Sequence, residues 1–578
     1  MRVRKALARA GFLREAWKLA WPYWRSEEKW SAIGLLVGVV ALNLSAVWLN
    51  VRFNLWNRDF YDALQEYDWP RFWWQFGMFC FLATLWVLVG VYQLYVHQIL
   101  HIRWRRWLTD RYLHDWLGNQ NYYRLQLNPT ATDNPDQRIA DDIDSFATMT
   151  IALSIGLLNA FVTLMSFLSI LWMLSGALTI PLGGGRSFSI PGYMVFAALF
   201  YAICGTLLTR KIGYPLIRLT FDQQRFEADF RFSLVRLREN AENVAFYGGE
   251  PREFETFRTR FERIVDNWWG IIRRRKKLTW FTTGYSQLAI VFPFIVAAPR
   301  YFGHVIHLGG LMQIASAFGQ VQDSLSFIVN SYTEIAQYQA VVQRLSGFSG
   351  RMEEIVAQCQ APQSIAIEHG GDGLEVETLQ LDLPDGRLLR DQVALRANSG
   401  DAVLVTGPSG AGKSTLLRAV AGLWPFGRGR IRVGDGNALF LPQRPYLPLG
   451  TLADAIAYPR AAAELPSEAI ADALRAVGLA HLVDRLNEEG NWAQRLSIGE
   501  QQRLAFARVL LARPEIVFLD EATSALDEAA EMSLYRLLRE ASWQPTIVSV
   551  GHHGTLRRYH DRIIDMAPRP VSEAAAAG

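Results

Sequence analysis

The sequence predicts two unlike domains: an α-helical membrane domain and, after it, an α/β domain built around a phosphate-binding loop. Of the 578 residues, 50% are hydrophobic and only 20% are charged, which is too apolar for an ordinary soluble protein. All but three of the 20 Trp residues precede residue 281, and the long uncharged runs lie in the same part of the chain. The motifs that carry chemistry lie after residue 400.

The overall charge argues against a nucleic-acid-binding protein, and the cysteine content argues against a protein held by disulfides or by a cysteine metal site. The chain has 59 basic and 55 acidic residues, and a net charge of +4 is too nearly balanced to indicate a nucleic-acid partner. Cys80, Cys204 and Cys359 are too scattered for a disulfide framework or a metal site. We therefore expect no nucleic acid among the partners.

Six uncharged runs in the first half are candidates for membrane-spanning helices. A helix needs about 20 largely apolar residues to cross the hydrocarbon core of a bilayer. The runs are 31–51, 72–96, the start of 145–185, 187–209, 278–299 and 301–322. The third run is long enough to include an outside loop as well. The sequence thus predicts six membrane helices.

The distribution of Lys and Arg predicts the orientation of these helices. Basic residues are concentrated in 1–29, 97–144 and 210–277, whereas the alternate loops are poor in them. Because basic loops remain on the cytoplasmic side, both termini are predicted to be cytoplasmic. Residues 210–277 show helical spacing of apolar residues and are interpreted as a helical stalk below the bilayer. Residues 1–29 form either a helix on the membrane surface or a solvated arm.

A phosphate-binding loop is the most specific motif in the second half. Residues 402–414 read AVLVTGPSGAGKS, in which an apolar strand leads into a glycine-rich loop and then a helix. The glycines allow backbone N–H groups to surround phosphate oxygens, and the start of the helix adds a partial positive charge. Lys413 is placed to reach the β- and γ-phosphates, and Ser414 to bind Mg²⁺.

A second apolar strand, residues 516–520, ends in Asp520 and is followed directly by Glu521. Asp520 is placed to hold Mg²⁺, directly or through water. Glu521 is then the natural general base for the water that attacks the γ-phosphate. Together with the phosphate-binding loop, this strand predicts nucleotide hydrolysis.

With these motifs in place, residues 374–566 resemble the ATPase domain of the ABC transporter superfamily. Residues 496–503, LSIGEQQR, are similar to the signature motif of that family, and residues 524–527 are similar to its D-loop. Gln443 resembles the Q-loop glutamine, and His552 the switch histidine.

The resemblance implies an ATPase that binds ATP and Mg²⁺ between two paired copies, each phosphate-binding loop facing the signature motif of the other copy. It implies Glu521, His552 and Gln443 as catalytic residues, and Ser414, Gln443 and Asp520 as Mg²⁺ ligands. The residues implied to bind ATP are Gly407, Pro408, Ser409, Gly410, Ala411, Gly412, Lys413, Ser414, Thr415, Ser497, Gly499, Glu500 and Asp527. A homodimer is the simplest way to supply the second copy, and a heterodimer with a similar chain is the alternative.

Three features depart from the family pattern. Ile498 stands where the signature usually has a second glycine, and Glu500 stands where it has glutamine. Because Ser497 and Gly499 are retained, we expect the contacts with ATP to be retained. Residues 381–384 contain no aromatic side chain to stack on adenine, so we expect the base to rest on aliphatic surface.

Strings in the membrane half narrow the resemblance. Four strings, 122–125 (YYRL), 134–139 (NPDQRI), 227–232 (EADFRF) and 238–242 (RENAE), are similar to the SbmA/BacA-like bacterial uptake transporters and the peroxisomal fatty acyl-CoA transporters. The resemblance implies an exporter-like fold with long cytoplasmic extensions. Residues implied to couple the membrane helices to the ATPase domain are Asn134, Pro135, Asp136, Gln137, Arg138, Glu239 and Glu242. The alternative interpretation is that they are only the surface of the stalk.

One polar helix face is a candidate for the translocation path. Its residues recur at steps of three or four along the last predicted membrane helix and beyond it, and are Gln313, Ser316, Gln320, Asp323, Asn330 and Glu334. A polar seam that hydrogen-bonds neighbouring helices is the alternative interpretation.

The sequence therefore predicts an ATP-driven transporter of the bacterial inner membrane that imports peptides or other bulky hydrophilic solutes, surrounded by membrane lipids. Export of lipids, drugs or fatty acyl-CoA is one alternative, and a proton-driven carrier with a regulatory ATPase domain is another. The predicted organisation is a basic segment (1–29), a membrane domain (30–345), a linker (346–373), the ATPase domain (374–566) and a flexible tail (567–578).

Overall fold

The structure is a computed structural model of the chain, and it describes residues 2–127, 134–181, 187–359, 365–551 and 554–566. The chain divides into two compact units. The first comprises residues 1–113 and 134–348, and the second comprises residues 114–133 and 349–578. Helix 69–117 and helix 332–359 each run from the first unit into the second along the chain.

Long helices build the first unit. In chain order as far as residue 359, the α-helices and strands are α1 (Arg2–Ala20), α2 (Lys29–Gln65), α3 (Trp69–Leu117), α4 (Asn121–Arg124), α5 (Pro135–Gln137), α6 (Ile143–Ser175), β1 (Ala177–Pro181), β2 (Ser187–Pro191), α7 (Tyr193–Glu239), α8 (Ala241–Tyr247), α9 (Glu250–Phe302), α10 (Leu308–Asn330) and α11 (Tyr332–Cys359). Of these, α4 belongs to the second unit. Among the described residues, five helical segments are long and apolar enough to cross a membrane, and they contain α2, α3, α6, α7 and α9.

The sixth predicted span, 301–322, differs from the observed helix at both ends. Helix α9 continues to Phe302, and α10 begins only at Leu308. Two side chains of α2 explain that start, because the Leu308 amide donates to Gln65 Oε1 at 2.6 Å and the Gly309 amide donates to Asp62 Oδ1 at 2.9 Å. These side chains satisfy amides that have no partner within their own helix. Helix α10 is not among the five candidate spans of the described residues, so the count of six stays a prediction.

The fourth predicted span, 187–209, begins too early. Strand β2 pairs antiparallel with β1 in a short hairpin, and α7 starts at Tyr193, directly after Gly192 in the left-handed region at φ 67°. An uncharged composition does not distinguish a hairpin strand from the first turns of an apolar helix. The remaining part of the run is helical, as predicted.

Close packing of α7 against α9 fixes the middle of the first unit. The rings of Tyr201 and Tyr285 stack with centroids 4.4 Å apart. The Tyr201 hydroxyl donates to the Tyr285 carbonyl oxygen at 2.6 Å, and the Tyr285 hydroxyl donates back to the Tyr201 carbonyl at 2.8 Å. This pairing requires Gly205, because a Cβ there would lie 2.2 Å from the Tyr285 ring.

The described part of the second unit contains two larger sheets and a two-stranded pair. Its strands and helices after α11 are β3 (Ile365–His369), β4 (Leu374–Asp382), β5 (Leu388–Ala397), β6 (Ala402–Thr406), α12 (Lys413–Val420), β7 (Gly427–Val433), β8 (Ala438–Leu441), β9 (Gly450–Thr451), α13 (Leu452–Ala457), α14 (Ser467–Ala476), β10 (Glu489–Gly490), α15 (Trp492–Arg495), α16 (Ile498–Ala512), β11 (Ile516–Asp520), α17 (Glu528–Arg539), β12 (Thr546–Val550) and β13 (Arg562–Asp565). The main sheet is parallel in the order β13-β6-β12-β11-β8, a second sheet has the order β3-β7-β4-β5, and β9 pairs with β10.

The central strands of the parallel sheet are buried along almost their whole length, as expected for a sheet covered on both faces. They therefore read as continuous apolar runs, which is why the sequence predicts strands 402–406 and 516–520 directly. The carboxyl ends of these strands meet at one edge of the sheet, and ligands of open α/β sheets bind at that edge.

Candidate functional site

The phosphate-binding loop lies between β6 and α12, where the sequence places it. Gly407, Gly410 and Gly412 have φ of 145°, 81° and 89°, a region that residues with a Cβ rarely adopt. The loop therefore needs glycine at these positions to turn its backbone N–H groups toward the start of α12. Such a concave row of amides at a helix N-terminus binds phosphate.

Lys413 is held at the mouth of this loop. Its side chain is only 6% exposed, and its Nζ donates to the carbonyl oxygens of Gly407 at 2.8 Å and Pro408 at 3.0 Å. The backbone of the phosphate-binding loop thus fixes the position of the Lys413 ammonium. From this position the lysine supplies a positive charge for phosphate oxygens.

Ser414 and Asp520 come together although they lie 106 residues apart in the sequence. The Ser414 hydroxyl donates to Asp520 Oδ1 at 2.9 Å. Burial raises the pKa of Asp520, while the hydroxyl of Ser414 and the nearby charges of Arg418 and Lys413 oppose that rise. The pair offers oxygen atoms of the kind that Mg²⁺ prefers, next to the phosphate-binding loop.

Glu521 is fixed in a strained conformation at the end of β11. It has φ of 50°, which is uncommon for a residue with a side chain. Its amide donates to the Val550 carbonyl oxygen at 3.0 Å, and the Gln443 amide nitrogen donates to Glu521 Oε2 at 3.2 Å. The structure thus brings together the predicted general base and the predicted Q-loop glutamine.

The signature serine begins helix α16. Ser497 is the N-cap residue, and its hydroxyl and its amide both donate to Glu500 Oε2, at 2.8 and 2.9 Å. Burial alone would raise the pKa of Glu500, but the hydrogen bonds from Ser497 and the neighbouring His481 hold it below its usual value. In this chain Glu500 closes a capping box, a role different from the ATP contact implied by the resemblance. Its contact with ATP stays a prediction.

The surroundings of Gly499 explain why the signature motif has a glycine at this position. A Cβ at Gly499 would lie 3.2 Å from the Ala525 carbonyl oxygen of the D-loop. The neighbouring Ile498 is 47% exposed, so its side chain extends toward solvent within one copy of the chain. The change from glycine to isoleucine is therefore tolerated within one copy of the chain.

Two family models match the chain: "ABC transporter transmembrane region 2" over residues 19–302 and "ABC transporter" over residues 390–524. ABC transporter D family member 2, chloroplastic, of Arabidopsis thaliana is 34% identical over 622 residues, covering 95% of this chain and 85% of that protein. This chain is an ABC transporter. The inner membrane ABC transporter ATP-binding protein YddA of Escherichia coli is 33% identical over 550 residues, covering 94% of the transporter and 96% of YddA.

A solved structure confirms the fold of the transporter. "Structure of a bacterial Atm1-family ABC exporter with ATP bound" superimposes with a TM-score of 0.71 and 19% identity, covering 92% of this chain and 93% of that one. The predicted fold class, a helical membrane domain of exporter type fused to a P-loop ATPase domain, is confirmed. The transporter binds ATP, and the hydrolysis of ATP drives transport.

Gln502 is a residue of the transporter's ATP site to which sequence reasoning gives no role. It lies in the signature motif, is only 1% exposed, and uses its whole amide group. Its Nε2 donates to the Gln443 carbonyl oxygen at 3.0 Å and to Ser524 Oγ at 3.2 Å, and its Oε1 accepts from the Ala525 amide at 3.0 Å. Gln502 therefore joins the signature helix, the Q-loop and the D-loop.

Asp527 and His552 are two other predicted site residues. Asp527 caps helix α17, because its carboxylate accepts from the Ala530 amide at 2.7 Å. A direct contact of Asp527 with ATP thus stays a prediction. His552, the predicted switch histidine, lies outside the described residues.

The aliphatic side chain of Leu389 lies close to the phosphate-binding loop. Leu389 Cδ2 lies 3.4 Å from the position that a Cβ of Gly412 would occupy. Its neighbour Leu388 is 58% exposed. This surface is available to the adenine base, although its use stays a prediction.

Within the second unit, the segment around α4 contacts the ATPase core. Arg124 Nη2 donates to the Gly422 carbonyl oxygen at 2.9 Å, just after helix α12. Leu127 packs against the hydrophobic cluster that contains Leu374 and Leu417. Residues 122–125 are among the strings for which the resemblance implies a coupling role, and that role stays a prediction.

The predicted coupling residues 134–138 belong to the first unit. There the Arg138 guanidinium donates to Asp142 Oδ2 at 2.5 Å, and Asp142 also accepts from Arg344 on α11 at 2.5 Å. Asp142 is only 3% exposed, so this ion cluster ties the start of α6 to α11. Glu239 and Glu242 are exposed near α8. The coupling role of these residues stays a prediction.

The residues of the predicted translocation face do not share one environment. Gln313 is only 1% exposed, because α10 packs against α2 there and the Asn54 side chain donates to the Gln313 carbonyl oxygen at 3.0 Å. Ser316, Gln320 and Glu334 are half-buried, whereas Asp323 and Asn330 are exposed. For Gln313 the interpretation as a seam between helices therefore fits, and a path-lining role of the other residues stays a prediction.

Proposed function

We propose that this ABC transporter works as a homodimer in a bacterial inner membrane and moves a bulky hydrophilic solute, such as a peptide, into the cell. The observation that carries the ATP-driven part is the convergence of Ser414 with Asp520 and of Gln443 with Glu521 beside the phosphate-binding loop. Positioning and electrostatic stabilisation supply most of the catalysis in phosphoryl transfer, and these four side chains provide the groups for both.

The side chains at this site fit a Mg²⁺ ion. Mg²⁺ is usually held by one or two carboxylates together with substrate phosphates, and hydroxyl and amide oxygens complete the set. Ser414, Asp520 and Gln443 offer one oxygen group of each kind. When bound, the ion would neutralise negative charge on the β- and γ-phosphates.

Glu521 is the group that would accept the proton of the attacking water. A general base must lie within hydrogen-bond reach of the proton that it removes, and its orientation must be fixed. The Gln443 side chain donates to one carboxylate oxygen of Glu521 and so orients the carboxylate toward the attacking water. Lys413 would stabilise the charge that develops on the transferred phosphoryl group.

The exposure of apolar residues supports a second copy of the chain as the partner. Phe246 and Tyr247 on the short helix α8 are 79% and 88% exposed, and Tyr446 and Leu449, which follow the Q-loop, are 62% and 77% exposed. Exposed apolar side chains on this scale mark interaction sites. We propose that α8 of each copy contacts the region after the Q-loop of the other, which joins the two chains into a symmetric dimer.

The proposed orientation places both termini and the ATPase domain in the cytoplasm. The concentration of Lys and Arg in 1–29, 97–144 and 210–277 supports this orientation. The name of the E. coli relative YddA supports an inner-membrane location.

The proposed cargo and direction rest on fewer observations. Asp323 and Asn330 are exposed polar residues of α10, which favours a hydrophilic solute over a lipid. The inward direction follows only from the resemblance to bacterial uptake transporters, since a structural neighbour that is 19% identical bears on fold alone. Export of lipids, drugs or fatty acyl-CoA, and proton-driven transport with a regulatory ATPase domain, are the competing functions.

The proposal is tested by reconstituting the full chain in lipid vesicles and following labelled peptides, a labelled phospholipid and a labelled acyl-CoA. ATP is supplied on the side of the ATPase domain, with and without a protonophore. We expect labelled peptides to move from the membrane side opposite to the ATPase domain to the side of the ATPase domain. We expect the protonophore to leave this transport unaffected. Transport of only the lipid or acyl-CoA would contradict the cargo, and transport that collapses with the proton gradient would contradict the energy source.

A further inference from the structure

A buried carboxylate lies behind the ATP site and is not used by the mechanism above. Glu531 on α17 is only 2% exposed. Its Oε2 accepts from the Thr523 hydroxyl at 2.8 Å, and its Oε1 accepts from the Thr555 hydroxyl at 2.7 Å. Each carboxylate oxygen thus receives a hydrogen bond from a different segment of the chain.

These two segments are the ones that carry catalytic side chains. Thr523 follows the general base Glu521 by two residues, and Thr555 follows the predicted switch histidine, His552, by three. We propose that Glu531 is a positioning residue for ATP hydrolysis, which holds the turn after Glu521 and the segment after His552 at a fixed separation. It acts through Thr523 and Thr555 and touches no substrate.

The energetics favour a rigid bridge over a loose contact. A buried carboxylate without partners is strongly destabilised, whereas hydrogen bonds to a charged group are stronger than those between neutral groups. Glu531 also lies in the first turn of α17, where the helix dipole stabilises negative charge. Removal of either hydroxyl takes one hydrogen bond away from an oxygen of the buried, charged carboxylate. The carboxylate therefore holds both threonines firmly.

Strain at Glu521 explains why such a bridge would affect catalysis. The residue has φ of 50°, and conformations of this kind persist only where the surrounding structure enforces them. On one side, the Glu521 amide is held by the Val550 carbonyl oxygen at 3.0 Å. On the other side, Thr523 is held by Glu531. Release of Thr523 would let Glu521 relax toward an ordinary φ and turn its carboxylate away from Gln443.

A neighbouring hydrogen-bond chain, which starts at Tyr535, adjoins this bridge. The Tyr535 hydroxyl donates to Ser549 Oγ at 3.2 Å, and Ser549 Oγ lies 2.8 Å from His560 Nε2. His560 Nδ1 lies 2.7 Å from the Leu556 carbonyl oxygen, which only accepts, so Nδ1 carries the proton and Nε2 accepts from Ser549. This chain packs behind the same helix and meets the bridge at Thr523, whose side chain is also a hydrogen-bond partner of Tyr535. Thr555 therefore tests the bridge without disturbing Tyr535.

The test uses Thr523→Val and Thr555→Val in the full transporter reconstituted in lipid. Each change keeps the shape of the side chain and removes the hydroxyl that Glu531 binds. Because each variant disturbs the position of the catalytic base more than ATP binding, we expect kcat to fall about tenfold while KM for ATP changes less than about twofold. Thr523→Ser and Thr555→Ser restore the hydroxyl and should recover most of the lost kcat.

A matched control is Thr546→Val. Thr546 is a buried threonine in the same domain, at the opposite end of β12, and its hydroxyl accepts from the Gly400 amide at 3.0 Å. We expect this change to lower the midpoint of thermal unfolding as much as the other two variants do, with kcat unchanged. The control thus separates loss of stability from loss of positioning.

The double variant Thr523→Val/Thr555→Val tests whether both threonines act through Glu531. Because one broken arm already frees the bridge, the double variant should lose little more kcat than the worse single variant. The proposal would be overturned if the double variant lost kcat by the product of the two single losses. It would also be overturned if folded Thr555→Val kept its kcat, or if the valine and serine variants lost kcat equally. The prediction concerns ATP hydrolysis alone, so it stands or falls independently of the proposed cargo and direction.

Discussion

The ATP site of the second unit and the long helices of the first unit differ in how their function is encoded. In the ATP site, motif residues far apart in sequence meet through short hydrogen bonds, such as Ser414 to Asp520 at 2.9 Å and Gln443 to Glu521 at 3.2 Å. In the first unit, helices α7 and α9 meet through the stacked rings of Tyr201 and Tyr285, their reciprocal hydrogen bonds and the close approach at Gly205. The polar residues Asp323 and Asn330 of α10 are exposed.

The difference has a physical origin. Phosphate transfer needs charged groups at fixed distances from a small reacting centre, so it requires particular residue types at particular spacings. A path for a bulky solute needs only a shape and a diffuse polarity, which many sequences provide. The chemistry of this transporter is therefore readable in its second half, while its cargo is not readable in its first.

The largest effect is expected from Glu521→Gln. The change keeps the shape of the side chain and removes the proposed general base, so we expect steady-state ATP hydrolysis to fall by about 10²- to 10⁴-fold. Binding of a fluorescent ATP analogue should be retained, because Lys413 and the loop glycines are untouched. Glu528→Gln, an exposed glutamate in the first turn of α17, is the matched control and should keep the wild-type rate. Normal hydrolysis in Glu521→Gln would mean that another group is the base.

The packing of the first unit is tested by Gly205→Ala. The new methyl group would lie 2.2 Å from the Tyr285 ring, and overpacking of this kind costs about 1–3 kcal/mol of stability. The control Gly284→Ala lies next to Tyr285 on α9 and has no atom within 4 Å of the added Cβ. Thermal unfolding in lipid nanodiscs should show a lower midpoint for Gly205→Ala only, with ATP binding intact in both. An equal shift in the two variants would contradict the account of the packing.

The contact of the α4 segment with the ATPase core is tested by Arg124→Ala. Loss of the hydrogen bond to the Gly422 carbonyl should weaken the response of transport to ATP hydrolysis. A lost hydrogen bond from a charged group amounts to about a fivefold effect or more, and we expect transport to fall by that factor while basal hydrolysis changes little. The exposed Arg106→Ala is the control. A parallel fall of transport and hydrolysis would assign Arg124 to catalysis instead.

The smallest effect is expected from pH, through His560. Burial lowers the pKa of His560, with the hydrogen bond to the Leu556 carbonyl and the charges of Asp561 and Glu531 acting against that change and Arg539 adding to it. The folded state therefore favours the neutral ring, while the unfolded chain takes up a proton near pH 6.5. Stability should be full above that pH and should fall as the pH drops below it toward the lower pKa of the folded state.

The measurement is thermal unfolding of the transporter between pH 8 and pH 5.5, compared with His560→Gln. The variant has no titrating ring at this position, so its unfolding midpoint should fall less steeply with acid than that of the wild type. The same slope in both proteins would assign the acid sensitivity to other groups.

The sequence predicts the parts of this molecule that depend on local spacing. The phosphate-binding loop, the strand that ends in Asp520 and the fold class follow from short patterns with a direct physical meaning. The structure brings Lys413, Ser414, Asp520, Glu521 and Gln443 to one edge of the parallel sheet, because the carboxyl ends of β6 and β11 lie there.

Contacts between distant segments are not predictable from the same patterns. Gln502 joins its own helix to two loops, and Glu531 joins two segments, yet neither residue has a local spacing that reveals its partners. The start of α10 likewise depends on Asp62 and Gln65, more than 240 residues earlier in the chain. An isolated sequence pattern contains no information on such pairings.

The central claim is that each ATP lies between the phosphate-binding loop of one copy and the signature motif of the other. It is tested most directly by ATP hydrolysis in mixed dimers, purified through two different tags, that carry Lys413→Ala and Ser497→Ala. With one change in each copy, one ATP site keeps both an intact Lys413 and an intact Ser497, and we expect clear hydrolysis. With both changes in one copy and none in the other, each site lacks one of the two residues, and we expect none. The opposite pattern would place each ATP within a single chain and would contradict the account.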